Sequence, residues 1–275
     1  MQDTATVNDD GRFAFGENWS DYARGIGDEA IREAEAGLLR MLECEEVAGR
    51  SWLDIGCGSG VHAVAALGLG ASPLVAVDYD VNSVETARAV LEAHAPGRDW
   101  TVRRGDVLKM TPQADGQHDI VYSWGVLHHT GDLAGAMSRA CDLVAPGGLL
   151  AVALYRRTRL DRFWIAEKRW YASASPRAQA AARRVYLAAL AAGLTLTGRS
   201  WRNYRDSYRQ RRGMSLVHDV HDWLGGYPYE AISADEVRQF FEARGFTLLR
   251  CNARPTGLGL LGSGCDEFVF RKPAA

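Results

Sequence analysis

The sequence predicts an α/β fold: a doubly wound, mostly parallel sheet with helices on both faces and a helical insertion capping one edge. Three observations predict it. From Ser51 to Tyr155, short apolar runs that end in Gly or Asp alternate with stretches of helical period, and strand, helix, strand in that order requires a parallel sheet covered on both sides. The first run opens directly into a glycine-rich turn. After Tyr155 the rhythm breaks into a long arginine-rich helical stretch before a helix and two strands restore it.

Taken in order, "DEAIREAEAGLLRMLE" carries apolar residues at helical spacing from Ile31 to Leu42, and residues 1–45 read as an N-terminal helical lid. The core follows over 46–155. Its strands are "SWLDIG" (51–56), "PLVAVD" (73–78), "WTVRR" (100–104), "DIVYSW" (119–124) and "GLLAVAL" (148–154), with "GVHAVAALGLG", "SVETARAVLEAH" and "LAGAMSRACDLV" as helices between them. Residues 156–230 read as a helical cap that binds the acceptor. In 231–275, "ADEVRQFFEARGFTLLR" and "CDEFVFRK" supply a helix and strands that complete the core.

Composition narrows the function. A chain of 275 residues, 47% hydrophobic and 24% charged, can bury a full core. A formal charge of -2 offers no whole-chain case for a nucleic-acid or membrane partner. Five scattered cysteines without a CxxC pair fit a reduced, cytoplasmic protein, and the polar N-terminus predicts no signal peptide. The longest apolar run, "LAALAAGLTL" from Leu187, is too short to cross a bilayer.

The cofactor motif is "LDIGCGSG", Leu53 to Gly60. A strand running into Gly56-x-Gly58-x-Gly60 makes a tight turn whose backbone can approach a ligand at the carboxyl end of the sheet. A dinucleotide fingerprint would need its third glycine at 61, where Val61 stands, which weighs against NAD. Asp78 ends the second strand about 20 residues beyond the loop, where a carboxylate can take both ribose hydroxyls. Asp106 follows the third strand.

Together "LDIGCGSG", "VAVDYD", "GDVL", "DIVYSWGVLHHT" and "LVAPGGLLAVAL" resemble the class I S-adenosylmethionine-dependent methyltransferases, small-molecule methyltransferases in particular, closely over 51–155 and loosely in the C-terminal strands. The resemblance implies a seven-stranded Rossmann-like sheet with an antiparallel last strand. It implies that Gly56 and Gly58 pass the methionine part of S-adenosylmethionine, Asp78 holds the ribose, Asp106 bonds the adenine amine, Val107 packs on the ring, and Ser123 and Trp124 line the methionine end. Asp54, Cys57 and Tyr79, from the same motifs, complete the expected set. Cys57 reads as a small spacer, since the acids Asp54 and Asp78 beside it would not activate a thiol. The resemblance also places "FAFGENWSDYA" over the cofactor, with Trp19 and Tyr22, along with Phe15, shielding the sulfonium. In one stretch the chain departs from its relatives: "LYRRTRLDRFW" stands where they carry an asparagine-containing segment after the fifth strand.

Methyl transfer is an in-line displacement on a sulfonium, so alignment supplies most of the acceleration, and a base is needed only if the nucleophile has a proton to lose. Histidine suits that task near neutral pH. His128 and His129, in "GVLHHT", follow the fourth strand at the ligand-bearing edge, and in similar sugar and natural-product methyltransferases a histidine of this pair is the base. The alternative is an imidazole that packs under the cofactor and bonds backbone. A second cluster is "HDVHDWLGGYPYE", 218–230, where helical spacing puts His218, His221 and Asp222 on one face. The stretch lacks the zincin spacing, and no metal is expected, although Mg²⁺ is used by some enzymes of this fold. His218 is a third candidate base. His221, Asp222, Trp223 and Tyr227 are expected to line the acceptor pocket, with two glycines letting Trp223, Tyr227 and Tyr229 fold back as a wall. The bland alternative is a helix end with core aromatics.

From Arg156 to Arg212 there are 14 arginines and one lysine against three acids, a net +12 that leaves the remainder of the chain at -14. Trp201, Tyr204 and Tyr208 fall on one helical stripe and Arg202, Arg205 and Arg209 on the next, which nominates Tyr204 and Arg205 as acceptor contacts. A solvated helix face explains most such arginines. The excess nonetheless suggests a small-molecule acceptor that is a carboxylate, nucleotide-linked or tethered to a carrier protein. The expected reaction is methyl transfer to O or N. The competing readings are an enzyme that cyclises or otherwise consumes the same cofactor, an RNA methyltransferase, disfavoured because no RNA-binding module is recognisable, and a non-catalytic cofactor-binding subunit.

Overall fold

The computed structural model describes Gly16, Ala23, residues 26–208 and residues 216–274, apart from the side chains of Cys44 and His218. Seven strands form one sheet: β1 (Trp52–Ile55), β2 (Leu74–Asp78), β3 (Trp100–Arg104), β4 (His118–Trp124), β5 (Val144–Tyr155), β6 (Thr247–Asn252) and β7 (Cys265–Arg271). Their order is β3-β2-β1-β4-β5-β7-β6. β1 to β5 pair in parallel, and β7 lies antiparallel between β5 and β6. The doubly wound sheet with an antiparallel last strand, expected from the sequence, is the fold the chain adopts.

The longer helices are α1 (Asp28–Met41), α2 (Val61–Gly68), α3 (Val81–His94), α4 (Leu133–Asp142), α5 (Asp161–Ser173), α6 (Pro176–Leu196), α7 (Trp201–Asp206), α8 (Leu216–Gly225) and α9 (Ala234–Glu242). Strand alternation divides the core between two faces. Trp52 of β1 and Ile120 of β4 join Leu38, Val64 and Leu91 of α1 to α3. Leu53 and Val121, one residue along, join Met137 of α4 and Phe241 of α9 on the other side. Each fully buried Leu or Phe contributes about 1.5–3 kcal/mol. Local signals start the helices: Asp80 accepts from the Asn82 and Ser83 N–H groups before α3, Ser175 caps α6 ahead of Pro176, and Ser233 with Glu236 forms a reciprocal cap before α9.

The arginine-rich stretch builds a third layer. α5 and α6 both pack on α8, and Trp164, Tyr171, Tyr208, Val220, Leu224 and Tyr229 form a separate apolar cluster there. Strand order reverses between β1 and β4, so the turns after these strands diverge and leave a crevice at their carboxyl ends. The third layer roofs that crevice.

Candidate active site

At the end of β1 the chain makes a turn that only glycine fits. Gly56 has φ +78°, and a Cβ there would lie 2.3 Å from Val126 Cγ2 on the turn after β4. The Gly56 and Cys57 N–H groups donate to the Val77 carbonyl at 2.8 and 3.0 Å, and Gly58 N–H donates to Asp78 Oδ2 at 2.9 Å. The loop is thus clamped to the end of β2. Asp78 Oδ1 accepts from Asp80 N–H at 2.9 Å. Burial raises the Asp78 carboxyl to about 6, against its backbone hydrogen bonds, so at neutral pH it is mostly ionised. It retains lone pairs for a diol.

A cavity of about 1090 Å³ opens from this loop. Gly56, Cys57, Gly58, Asp78, Tyr79, Asp106, Val107 and Trp124 of the expected cofactor set line it. Asp106 also caps the turn that follows, its Oδ1 accepting from Leu108 N–H at 3.1 Å. Burial, then the charges of Asp78 and Asp54, push the Cys57 thiol well above its usual range, which leaves it inert.

Two members of the expected set lie elsewhere. Ser123 is fully buried and its hydroxyl donates to the Ile55 carbonyl at 3.0 Å, because alternation on β4 sends Tyr122 and Trp124 toward the cavity and residue 123 the other way. Asp54 is 2% exposed and its Oδ2 has no hydrogen-bond partner. It sits outside the lining, and burial followed by the charge of Asp78 raises it to about 8. Trp19 and Tyr22, like Phe15, lie outside the described residues. Gly16 is described, and its N–H donates to Asp80 Oδ2 at 3.4 Å at the cavity edge.

The histidines separate clearly. His128 is fully buried and absent from the lining; its Nδ1 accepts from Tyr155 N–H at 3.2 Å, and its ring packs 3.9 Å from that of Tyr155. Burial, then His129 and Lys168, hold it neutral. His129 does line the cavity. Its Nδ1 donates to the Pro228 carbonyl at 2.7 Å, a contact that selects the tautomer with the acceptor nitrogen at Nε2. Burial lowers His129 to about 4, against its backbone hydrogen bonds.

The second cluster does not share one face. On α8 the cavity side is Leu216, Asp219, Val220, Asp222 and Trp223. His221 points to the opposite side, where Tyr171 OH lies 2.7 Å and Arg183 Nη1 3.1 Å from its Nδ1. The side chain of His218 is outside the described residues. Asp219 lines the cavity and accepts a hydrogen bond from Tyr208 OH. Of the two glycines after Trp223, neither adopts positive φ. Gly226 is needed because a Cβ there would lie 2.6 Å from His129 Cε1.

Tyr204 and Tyr227 line the cavity as expected, whereas Arg205 is 57% exposed and pairs with Asp206 at 3.0 Å. Among the described arginines of 156–208, only Arg156 lines the cavity, and it pairs with Asp266 at 2.5 Å. The cavity wall on this side is aromatic instead, with Tyr155, Tyr186, Tyr204, Tyr208 and Trp223. Lys168 braces it: fully buried, its Nζ lies 3.6 Å over the Trp223 ring and donates to the Trp223 carbonyl, and burial lowers its pKa. Sequence reasoning passed over Tyr155, Tyr186 and Tyr208. It also passed over Glu267 on β7, which accepts from Trp124 Nε1 and Asn252 Nδ2, both at 3.0 Å, and faces the cavity. Alternation along β4 could have exchanged Tyr122 for Ser123. Tyr208 shares the helical stripe of Tyr204 in the sequence, whereas nothing local marks Tyr155 or Tyr186.

Comparison with known proteins bears on the β1-to-β5 segment. The methyltransferase domain family matches residues 53–152. Ribosomal protein L11 methyltransferase of Pseudomonas paraeruginosa is 36% identical over 117 residues, 42% of this chain and 37% of the relative, so the chain spans well under half of that protein. Among solved structures, magnesium protoporphyrin IX methyltransferase from Synechocystis PCC 6803 with bound SAH aligns over 93% of both chains at 14% identity and a TM-score of 0.55. An S-adenosylmethionine-dependent methyltransferase from Mesorhizobium loti aligns over 91% of this chain and all of its own at 19% identity and 0.52. These two likenesses speak for the fold. The lining chemistry fits the cofactor: a glycine cradle that a Cβ would fill, and an ionised carboxylate fixed by two N–H donors. Residues 53–152 therefore match a methyltransferase domain, and the fold around them is that of these solved methyltransferases.

Proposed function

We propose that the chain transfers a methyl group from S-adenosylmethionine to an oxygen or nitrogen of a small acceptor with a largely apolar, aromatic-fitting body. One observation carries this reading: a single cavity of about 1090 Å³ runs from Gly56 and Asp78 to the wall of Tyr186, Tyr204 and Trp223. Ligand pockets of roughly 300–1,000 Å³ hold one drug-sized molecule, so this volume suits cofactor and acceptor side by side. Because the arginines of 157–205 lie outside the lining, recognition of an anionic or carrier-tethered acceptor has support only from Arg156, Arg254 and Arg40 at the cavity.

The bound cofactor supplies an electrophilic methyl on a sulfonium. Asp78 holds the ribose, Asp106 and Val107 the adenine, and Trp124, fixed by Glu267, borders the methionine end. Gly16, against Asp80, brings the N-terminal segment to the cavity edge, which supports the lid reading of residues 1–45. His129 Nε2 receives the acceptor's proton. A base whose conjugate acid lies near 4 is weak, yet it suffices for a hydroxyl nucleophile, whose methylated oxygen is far more acidic once the new bond forms. Alignment between the sheet edge and the helical layer does the rest.

A protein acceptor is the second reading, because relatives are ribosomal protein L11 methyltransferases. Their similarity spans only 42% of this chain and 37% of the relative, too little to carry the acceptor across. Incubation with S-adenosylmethionine and separate panels of aromatic hydroxyl or amine compounds and ribosomal proteins decides between them. The proposal expects S-adenosylhomocysteine and a methylated small molecule. Methylthioadenosine as the product, or methylated protein alone, would overturn it.

A further inference from the structure

Apart from Arg156, the described arginines of 156–208 lie outside the cavity lining, and their position on the surface is specific. Arg162, Arg169, Arg177, Arg184, Arg199 and Arg202 are all exposed. Large apolar side chains stand exposed among them: Phe163 (57%), Ile165 (41%) and Trp170 (51%) on α5, and Val185 (70%) and Leu196 (87%) on α6. Surface apolar residues scattered singly need no explanation, but Phe163 with Trp170 on α5 and Val185 with Leu196 on α6 each share one outer helix face by their spacing. On α5, Trp164, Lys168 and Tyr171 are buried, while Phe163 and Trp170, two turns apart, share the outer face with Arg162 and Arg169. On α6, Tyr186 and Leu190 face the cavity and Arg184, Val185, Ala188, Ala192 and Leu196 face out. The helices are tied side by side, Arg183 Nη1 donating to Tyr171 OH at 2.7 Å and Gln179 Nε2 to the Tyr171 carbonyl at 2.9 Å.

We propose that this outer face of α5 and α6 docks on an anionic lipid bilayer, with the protein lying peripherally on it. Rings and branched side chains enter the acyl boundary while guanidinium groups stay at the phosphates, their stems lying along the apolar surface. No described helix is long and apolar enough to cross a membrane, so the contact is superficial. Charge complementarity selects the occupant. Asp206 is the single exposed acid among the described residues of 156–208, and it pairs with Arg205. An isologous contact with a second copy would therefore set arginine against arginine without partners. The inner side of α6 lines the acceptor wall, so a docked protein holds that wall one helix from the bilayer.

The test is flotation of the full chain with vesicles of phosphatidylcholine alone and of phosphatidylcholine mixed with phosphatidylglycerol. Binding is expected to the anionic vesicles only, and to weaken as salt rises. Arg162→Gln with Arg169→Gln should weaken it roughly 25-fold, about fivefold per charge. Phe163→Ser with Trp170→Ser should weaken it at least roughly tenfold, with an unchanged thermal melt because both side chains are exposed. Should either pair fail to fold, Arg177→Gln with Arg184→Gln on α6 makes the same prediction. No binding to anionic vesicles, equal binding to neutral ones, or variants that bind like the parent would overturn the proposal. So would a dimer abolished by Phe163→Ser and Trp170→Ser, or RNA binding, in the absence of vesicle binding.

Discussion

At the sheet edge, Gly56, Gly58 and Asp78 are held by backbone: each sits at a strand end, and the contacts between them are N–H donors to a carbonyl and a carboxylate. Across the cavity, Tyr186, Tyr204, Tyr208 and Trp223 come from α6 to α8 and their connections, and side-chain packing around α8 brings them together. The first kind of site needs particular residue types at fixed spacing, because strand ends and turns permit few alternatives. The second needs only aromatic bulk at positions that happen to converge, so equivalent walls can be built from many sequences. A motif can therefore declare the cofactor while the acceptor stays silent.

The comparison can be tested most strongly where the two regions meet. His129→Ala should lower turnover roughly 100- to 10,000-fold while calorimetry shows S-adenosylmethionine binding intact. His128→Ala, by contrast, should act through stability, since that ring packs under Tyr155 away from the cavity. Equal turnover losses in both variants, with equal melting temperatures, would dissolve the distinction.

On the backbone-held side, Asp78→Ala should weaken cofactor binding by about 1.5–3 kcal/mol, the range for a hydrogen bond to a charged group. An unchanged calorimetric affinity would remove Asp78 from the ribose. The same residue sets a pH dependence. Burial raises Asp78 from 3.8 to about 6 and Asp54 from 3.8 to about 8, so the folded chain keeps protons that the unfolded chain has released. Stability of the ligand-free protein should therefore be fullest below about pH 4 on this account and fall as pH rises toward 8. Cofactor affinity should run the other way, dropping as pH falls through about 6, and binding near pH 6 should release protons, read as a dependence of the binding heat on buffer ionisation.

On the packing side the effects are smaller. Tyr204→Ala should raise the acceptor KM several-fold with little change in kcat, whereas Arg205→Ala, at an exposed surface pair, should shift either by less than about 0.5 kcal/mol. If Arg205 proved the more important, the outward placement of the arginines would be wrong. The smallest expected effect is none: activity should survive exhaustive chelation, since α8 turns His221 toward Tyr171 and Asp222 toward the cavity, and the described residues hold no cluster of metal-ligating side chains.

By itself the sequence determined the sheet, its strand positions and the cofactor loop. Val61 in place of a third glycine already argued against a dinucleotide, and Asp78 at the end of β2 and Asp106 after β3 both line the cavity. Those features are local: period-2 alternation, turn residues and strand-end acids are set within a few neighbours. Tertiary structure alone decided which of His128 and His129 reaches the cavity, that Ser123 points away, that His221 and Asp222 part company on α8, and that Arg205 faces out while Tyr204 faces in. The physical reason is angular. A helix position separated by one residue turns about 100°, so a few degrees of packing rotation or a shift of register reassigns which side chain meets the ligand, and no neighbouring residue records that choice.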